Sequence, residues 1–406
     1  MNILHLIPSV GPKSFGPGYL ALNLVKEQLS IGCFSEIWCT SMPEDIQWAS
    51  ETSGLSKESI RSFAHAGPRF LCYSPAMERF AAGSAGQQFD IIHQHGIWTG
   101  ISRATNILCK KHRIPSVIAP HGSLESWALK QSRWKKKIAG LLYESRNLSN
   151  AACLHATAEP EVTDFRNLNL SNPIAVIQNG ISEAWLNSTG DADRFRDSFN
   201  IEHDKRILLF MSRITPKKGL FLLLQAINMI KKDFADWTLV IIGPDEFGHK
   251  SEVERLVKEL GMKDKVKFVV PVFDQLKRDA FSSADLFILP SHSEGAPMVI
   301  LDSLATGVPV IATKASPWKE LSTHGCGWWV DISVNGISEA LSIALKLTRE
   351  QLGGMGERGK KLIASKYTWS RLALKTIDLY TWLFGRGKAP EFVFLNNHSN
   401  KLGGRL

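Results

Sequence analysis

Short runs of apolar, largely β-branched residues recur along most of the chain, and between them apolar positions return at helical spacing. Such alternation is the sequence sign of parallel βαβ units. In the first half, strands are expected at 2–7, 36–40, 91–93, 116–119, 153–156 and 174–177, with helices in the gaps such as 18–31 and 102–112. A second series is expected at 206–211, 237–242, 266–270, 286–289 and 308–312. The polar stretch 182–204, with "NSTGDAD" inside it, separates the two series and reads as a linker. The fold class implied is α/β, with two doubly wound, Rossmann-like domains facing each other across a cleft. The first is expected over 1–185, a linker over 186–204, the second domain over 205–370, and a partly disordered tail over 387–406. Ligands of such sheets bind beyond the carboxyl ends of the strands, so residues just after strands are the candidates.

The length of 406 residues agrees with two domains of about 200 each. With 44% hydrophobic and 21% charged residues the composition is that of a soluble globular protein. No apolar run approaches the roughly 18 residues of a membrane span, and the N-terminus reads as a first strand and not a cleaved signal. Six scattered cysteines without a CxxC pair argue against a zinc site or a disulfide framework and for a reducing compartment, hence a cytoplasmic location. A formal net charge of +9 points to an anionic partner: nucleic acid, acidic lipid or nucleotide phosphate.

Candidate chemistry narrows that choice. After strand 206–211, "SRITPKKGL" places Arg213 and Lys218 in a short loop ahead of an apolar helix, a diphosphate site in which dipole and charge add, or else a solvated basic loop. The first βα loop of the chain carries Gly11, Gly16 and Gly18; Gly16 and Gly18 could bring backbone amides to a phosphate, although the loop is neither GxGxxG nor a Walker motif. "IIHQHGIW" and "IAPHGSLESWAL" set His93, His95 and His121 at strand ends. These three histidines could ligate a metal, but they lack acidic partners, and no metal is expected. Lys130, Arg133, Lys135, Lys136 and Lys137 lie beside Trp127 and Trp134. As a helix, Trp127 to Lys137 is a basic, aromatic-edged face suited to a membrane surface or an anionic acceptor, or simply solvated. Nothing matches a nucleic-acid module. Finally, "HSEGAPMVILDSLATGVPVIAT" puts Glu294 at the mouth of an apolar helix starting near Pro297, with Asp302 about two turns in. The two carboxylates could accept hydrogen bonds from separated hydroxyls of one ligand, with the Gly295 and Ala296 amides between them. Helix N-capping is the plainer alternative for Glu294.

Together these motifs resemble the retaining glycosyltransferases of family 4, which have the two-domain GT-B fold. "SEGAPMVILDSLATGVPVIAT" is similar to that family's E-x7-E region, "SRITPKKG" to its phosphate-gripping loop, and "APHGSLESWAL" with "HGIW" to the catalytic-histidine region of a bacterial polysaccharide-building branch. The resemblance spans roughly residues 1–385 and includes "QNGI" at 178–181, "CGWWV" at 326–330, and a helix at 371–386 crossing back to the first domain. It implies that Glu294 binds the donor hexose, Asp302 the ribose, and Arg213 and Lys218 the diphosphate. It further implies that Gly16 and Gly18 approach the phosphates, His121 meets the transferred sugar, and the base lies near Gly243 and residues 270–273. Asp302 stands where glutamate is usual, which shortens its reach by a methylene.

The implied reaction moves a hexose from a UDP- or GDP-sugar to a hydroxyl of a glycan or lipid-linked acceptor, with retention and without a metal or other cofactor. It suits surface polysaccharide synthesis, with peripheral membrane contact. A sugar-nucleotide epimerase, a phosphorylase and a non-catalytic nucleotide-sugar subunit are the alternatives.

Overall fold

The computed structural model describes residues 1–396 apart from Ser126, Trp127 and Lys130. The chain forms two compact units. One comprises Met1–Asn179 and the chain from Trp369 onward; the other is Gly180–Thr368.

The first unit is built on β1 (Asn2–Leu6), β2 (Phe34–Cys39), β3 (Ile60–Ser62), β4 (Ile91–His95), β5 (Ser116–Ala119), β6 (Cys153–Ala156) and β7 (Ile174–Val176), joined by a late strand, Val393–Phe394. The order is late strand, β7-β6-β5-β4-β1-β2-β3. Every pairing is parallel except that of the late strand, which runs antiparallel to β7 with Val393 opposite Ala175. On one face, Ile3, Ile91, Val117, Cys153 and Ala175 pack against helices Phe15–Ser30 and Trp369–Leu383. The C-terminal helix therefore belongs to the first unit and supplies part of its core.

The second unit holds β8 (Arg206–Met211), β9 (Trp237–Ile242), β10 (Val266–Val269), β11 (Leu286–Leu289), β12 (Val310–Thr313) and β13 (Gly327–Val330), in the parallel order β10-β9-β8-β11-β12-β13. All six residues of β9 are buried. Such largely apolar, fully buried runs are what a parallel sheet covered on both faces requires. β3 and β13 escape pattern reading because β3 has three residues, one of them buried, and β13 is a Gly-Trp-Trp-Val segment half-covered by its neighbours.

The expected linker is not one. Residues 183–204 are packed into the second unit through helices Glu183–Asn187 and Ala192–Ser198. Trp185 Nε1 donates to the Asp302 carbonyl at 3.2 Å, and Phe195 is fully buried. The buried Asp279 carboxylate accepts from the Asp191 amide at 2.8 Å and from Arg194 Nε at 2.7 Å. The polar letters that suggested a linker are helix signals: Asp191 caps its helix by accepting from the Arg194 amide. The crossings between units fall at Asn179–Gly180 and Thr368–Trp369, displacing the expected boundaries at 185 and 370. Part of the expected tail is also structured, since Val393–Phe394 completes the first sheet; 397–406 lies outside the described residues.

Asp279→Ala should destabilise the second unit by about 1–3 kcal/mol, because it strips partners from a part-buried backbone amide and a half-exposed arginine. Urea unfolding followed by tryptophan fluorescence measures this; a true linker would show almost no change.

Candidate functional site

In the second sheet the chain winds away from β8 in one direction and from β11 in the other, so the loops after these adjacent strands open at a topological switch point. The loop after β8 runs through the tight turn Pro216–Lys218 to Gly219 at φ +71°, where a Cβ would stand 2.0 Å from the Pro290 carbonyl oxygen. The His292 amide also donates to the Lys217 carbonyl at 2.8 Å, so the two loops are stitched together. The consequence is direct. Lys218 Nζ donates to Glu294 Oε1 at 2.6 Å, both side chains are almost wholly buried, and the Ser291 hydroxyl donates to the same oxygen. Glu294 Oε2 and the amides of Gly295 and Ala296 have no hydrogen-bond partner among the described residues. Glu294 is not the helix cap: the helix is Met298–Thr306 and its N-cap is Pro297.

The remaining second-unit candidates divide. Gly243, at φ +154° after β9, sits where a Cβ would lie 1.8 Å from the Ser212 carbonyl oxygen, so only glycine lets these two loops meet. Arg213 Nη1 donates to Glu246 Oε1 at 2.6 Å as an exposed pair, and its other N–H groups have no partner among the described residues. Val270 and Phe273, flanking the loop after β10, are exposed. Asp302 lies little more than one turn into its helix, not two, and its carboxylate takes a different partner from that of Glu294. Its Oδ2 accepts from Lys277 Nζ at 2.6 Å, and Lys277 in turn lies 5.1 Å over the Trp185 ring. The structure thus joins Lys218 with Glu294, whereas Asp302 pairs with a lysine from the neighbouring helix Asp274–Ser282 that pattern reading did not single out.

In the first unit, helix Phe15–Ser30 begins earlier than expected and takes Gly16 and Gly18 into its first turn. A Cβ at Gly16 would meet nothing, while one at Gly18 would stand 2.0 Å from Ser14 Oγ; close packing thus explains Gly18. His93 and His95 do not follow β4 but lie within it, fully buried on one face, because residues two apart in a strand point the same way. They meet His5 of β1 and His155 of β6, also fully buried, and His121 just beyond β5 at φ +51°. His5 Nδ1 lies 2.9 Å from His95 Nε2, His93 Nε2 3.0 Å from His155 Nδ1, and His95 Nδ1 3.3 Å from His121 Nε2. The small Ala119, between β4 and β6 in the sheet, leaves room for imidazoles to meet across β5. Among the described residues, metal-ligand spacing picks out His5, His93 and His95 and not the trio His93, His95 and His121 considered from the sequence, and their nitrogens already engage one another and neighbouring side chains. Burial holds all five imidazoles below their ordinary pKa: His5 and His155 at about 4, His121 at about 3, His93 and His95 well down.

The "HGIW" loop is anchored from beneath. Glu144, fully buried, accepts from the Trp98 amide at 2.7 Å, the Ser102 hydroxyl at 2.8 Å and Asn147 Nδ2 at 2.9 Å, and burial raises its pKa. Of the basic face, Trp127 and Lys130 lie outside the described residues. Helix Arg133–Ala139 continues into the wider turn Gly140–Glu144 and exposes Trp134, Ile138, Leu141 and Leu142. Four apolar residues at helical spacing thus face water among lysines. Among the described residues, no helix is long and apolar enough to cross a membrane.

The profile of the glycosyl transferases group 1 matches residues 191–362, and that of the glycosyl transferase 4-like domain matches 15–180. The chain belongs to the family 4-type glycosyltransferases. It is similar to D-inositol 3-phosphate glycosyltransferase 2 of Catenulispora acidiphila, at 26% identity over 81% of this chain and 77% of that one. It also resembles lipopolysaccharide 1,2-N-acetylglucosaminetransferase of Salmonella typhimurium, at 30% identity over 49% of this chain and 54% of that protein. Among solved structures, HepE of Anabaena in complex with UDP matches with a TM-score of 0.73 at 18% identity, covering 94% of this chain and all of that one. Sucrose-phosphate synthase of Thermosynechococcus elongatus matches with 0.71 at 20% identity, covering 95% and 100%. These likenesses establish the two-domain GT-B fold for this glycosyltransferase.

The lowered pKa values of the histidine cluster predict that the fold loses stability in acid. Imidazoles whose folded pKa lies below the unfolded value of about 6.5 stabilise the fold above that pH and lose the contribution as pH falls toward their folded values. Glu161, pushed up to about 7 by burial, and Glu144 act oppositely and offset up to two of the five protons. On balance unfolding takes up protons between about pH 6 and 5, so stability falls with pH there and its slope is set by the imidazoles. Urea midpoints at pH 7.5, 6 and 5 should fall accordingly, and replacing His93 by Gln should flatten the slope by about one proton.

Proposed function

We propose that this glycosyltransferase moves a hexose, with retention at the anomeric carbon, from a UDP- or GDP-sugar to a hydroxyl of a glycan or lipid-linked glycan, as in surface polysaccharide synthesis. The observation that carries the donor reading is the Lys218–Glu294 contact at the switch point. A buried lysine and carboxylate hold each other in place before any ligand arrives, which lowers the ordering cost of binding. Lys218 and Arg213 then bind the diphosphate, and the open Glu294 oxygen accepts from hexose hydroxyls. The unpaired Gly295 and Ala296 amides meet ligand oxygens, and Gly243 admits the base. Asp302 reaches the ribose only by sharing Lys277. Gly16 and Gly18 bring the first turn of their helix to the phosphates, and His121 meets the transferred sugar.

In the step itself, the acceptor oxygen bonds to the anomeric carbon on the face the diphosphate leaves. The carbon–oxygen bond to the diphosphate breaks, and a β-phosphate oxygen takes the acceptor proton. Fixed cations stabilise the departing charge, so no metal is required. That HepE has been seen with UDP and with UDP-glucose supports a nucleotide-sugar donor.

A second element of the reading is peripheral attachment to the inner face of the membrane. The exposed stripe Trp134, Ile138, Leu141 and Leu142 runs beside Lys135 and Lys137, and a cavity of about 210 Å³ lined by Arg103, Lys110, Leu142 and Arg146 adjoins it. Apolar residues and cations in that arrangement suit an anionic bilayer.

Thermal shifts with UDP, GDP, ADP and TDP and their sugar conjugates, with and without EDTA, test the donor site. One nucleotide at a hundred times its Kd should add about 2.7 kcal/mol regardless of EDTA. Lys218→Ala should abolish the gain; a gain that survives it, or that requires a divalent ion, counts against the reading. Exchanging Lys135, Lys136 and Lys137 for Glu should weaken co-sedimentation with anionic vesicles by roughly a hundredfold or more at low salt, at about 1 kcal/mol per charge. Undiminished co-sedimentation would remove the membrane from the proposal.

A further inference from the structure

Three of the five histidines, His5, His95 and His121, are joined by hydrogen bonds whose directions can be deduced from one end. Thr376 has a single hydroxyl proton, and it is given to the Ala373 carbonyl at 2.7 Å. Its oxygen can therefore only accept from Gln28, which sets the amide: Gln28 Nε2 faces Thr376 at 3.2 Å and Gln28 Oε1 faces His5 Nε2 at 2.8 Å. The Ser35 hydroxyl agrees, donating to the same Gln28 oxygen at 2.9 Å. Since that oxygen only accepts, His5 carries its proton on Nε2 and presents a bare Nδ1. His95 Nε2, 2.9 Å away, must then be the donor. His95 in turn presents a bare Nδ1, and His121 Nε2 at 3.3 Å donates to it. A neutral His121 is left with its Nδ1 bare. That atom has no hydrogen-bond partner among the described residues, nor is it a buried, unpaired atom.

We propose that Thr376, Gln28, His5 and His95 form a one-way relay that fixes His121 as the Nε2–H tautomer, so that its Nδ1 is held as a hydrogen-bond acceptor for a sugar hydroxyl. Gln28, His5 and His95 are positioning residues, and His121 alone meets substrate. This deepens the proposed function and rests on it for the identity of the ligand. The deduction needs every ring neutral, and burial keeps His5, His95 and His121 so at neutral pH. A second chain runs alongside without reaching His121: Tyr380 donates to His93 Nδ1 at 2.7 Å, His93 Nε2 to His155 Nδ1, and His155 Nε2 to the Ile177 carbonyl at 2.7 Å. Thr376 and Tyr380 stand one turn apart on helix Trp369–Leu383, so the C-terminal helix holds one end of each chain, while the Ile177 carbonyl, which can only accept, sets the direction of the second. A histidine's free nitrogen is decided by what its other nitrogen meets, and here that decision is made three side chains away.

The test is the tautomer of His121 in the full chain, read at pH 7.5 by long-range proton–nitrogen correlation of ¹⁵N-histidine-labelled protein, with the signal assigned through His121→Asn. In the wild type, Nε2 should be protonated and Nδ1 bare; the opposite pattern, or an averaged one, overturns the relay. Gln28→Leu should release the tautomer, giving a mixture, while Gln28→Glu should restore it, because either carboxyl oxygen can accept from His5. A folded Gln28→Leu protein with the wild-type His121 signal also overturns it. If Gln28→Leu does not melt cooperatively, Thr376→Val takes its place, with the same two outcomes. Released variants should lose at least about tenfold in kcat, one hydrogen bond's worth, with donor KM little changed, and Gln28→Glu should recover most of it. Should the tautomer be as stated while His121→Asn transfers sugar normally, the relay stands and the assigned role of His121 fails.

Discussion

A parallel strand covered by helices on both faces has no wet side, and any polar residue placed in it must find its partner inside the protein. In the first unit that constraint falls on His5, His93, His95 and His155, fully buried in the central strands β1, β4 and β6. Water cannot satisfy them, so they satisfy one another and draw Gln28, Thr376 and Tyr380 into the arrangement. The C-terminal helix is thereby tied to the first sheet by polar contacts as well as by Leu372, Ala373 and Leu379. The lowered pKa of these imidazoles and the return of the chain to its first unit share this origin.

The second unit answers the same constraint with ions. β8 and β11 lie side by side at the point where the winding reverses, and their loops are pressed together until only glycine fits at position 219. Lys218 and Glu294 become neighbours in a place too dry for either to stand alone, so each holds the other. On the proposed donor reading, an arrangement already fixed by its own electrostatics loses little freedom on binding. Asp302 meets the same demand through Lys277.

Strand positions were readable because parallel strands in a covered sheet are continuous apolar runs, and 116–119, 153–156, 206–211, 237–242 and 286–289 agree with the structure residue for residue. Loops after those strands were readable for the same reason, which is why Lys218 and Glu294 could be named. Misreadings arose where one letter pattern serves two physical purposes. "NSTGDAD" has a linker's composition, yet it supplies a helix cap and a glycine pressed against Arg278. "HQH" looks like a strand end with two free ligands, yet the strand continues through both.

By itself the sequence determined the fold class, the number of units, the family and the loops in which the candidate chemistry sits, because these depend on periodicity and on residues close together in the chain. Tertiary structure alone decided which groups pair: Lys218 with Glu294 across 76 residues, Asp302 with Lys277, His5 with His95 across 90. It also decided that Gln28 and Thr376, 348 residues apart and unremarkable as letters, adjoin the histidines. Hydrogen bonds and ion pairs act over about 3 Å, and only the folded chain sets distances on that scale between residues so far apart in sequence.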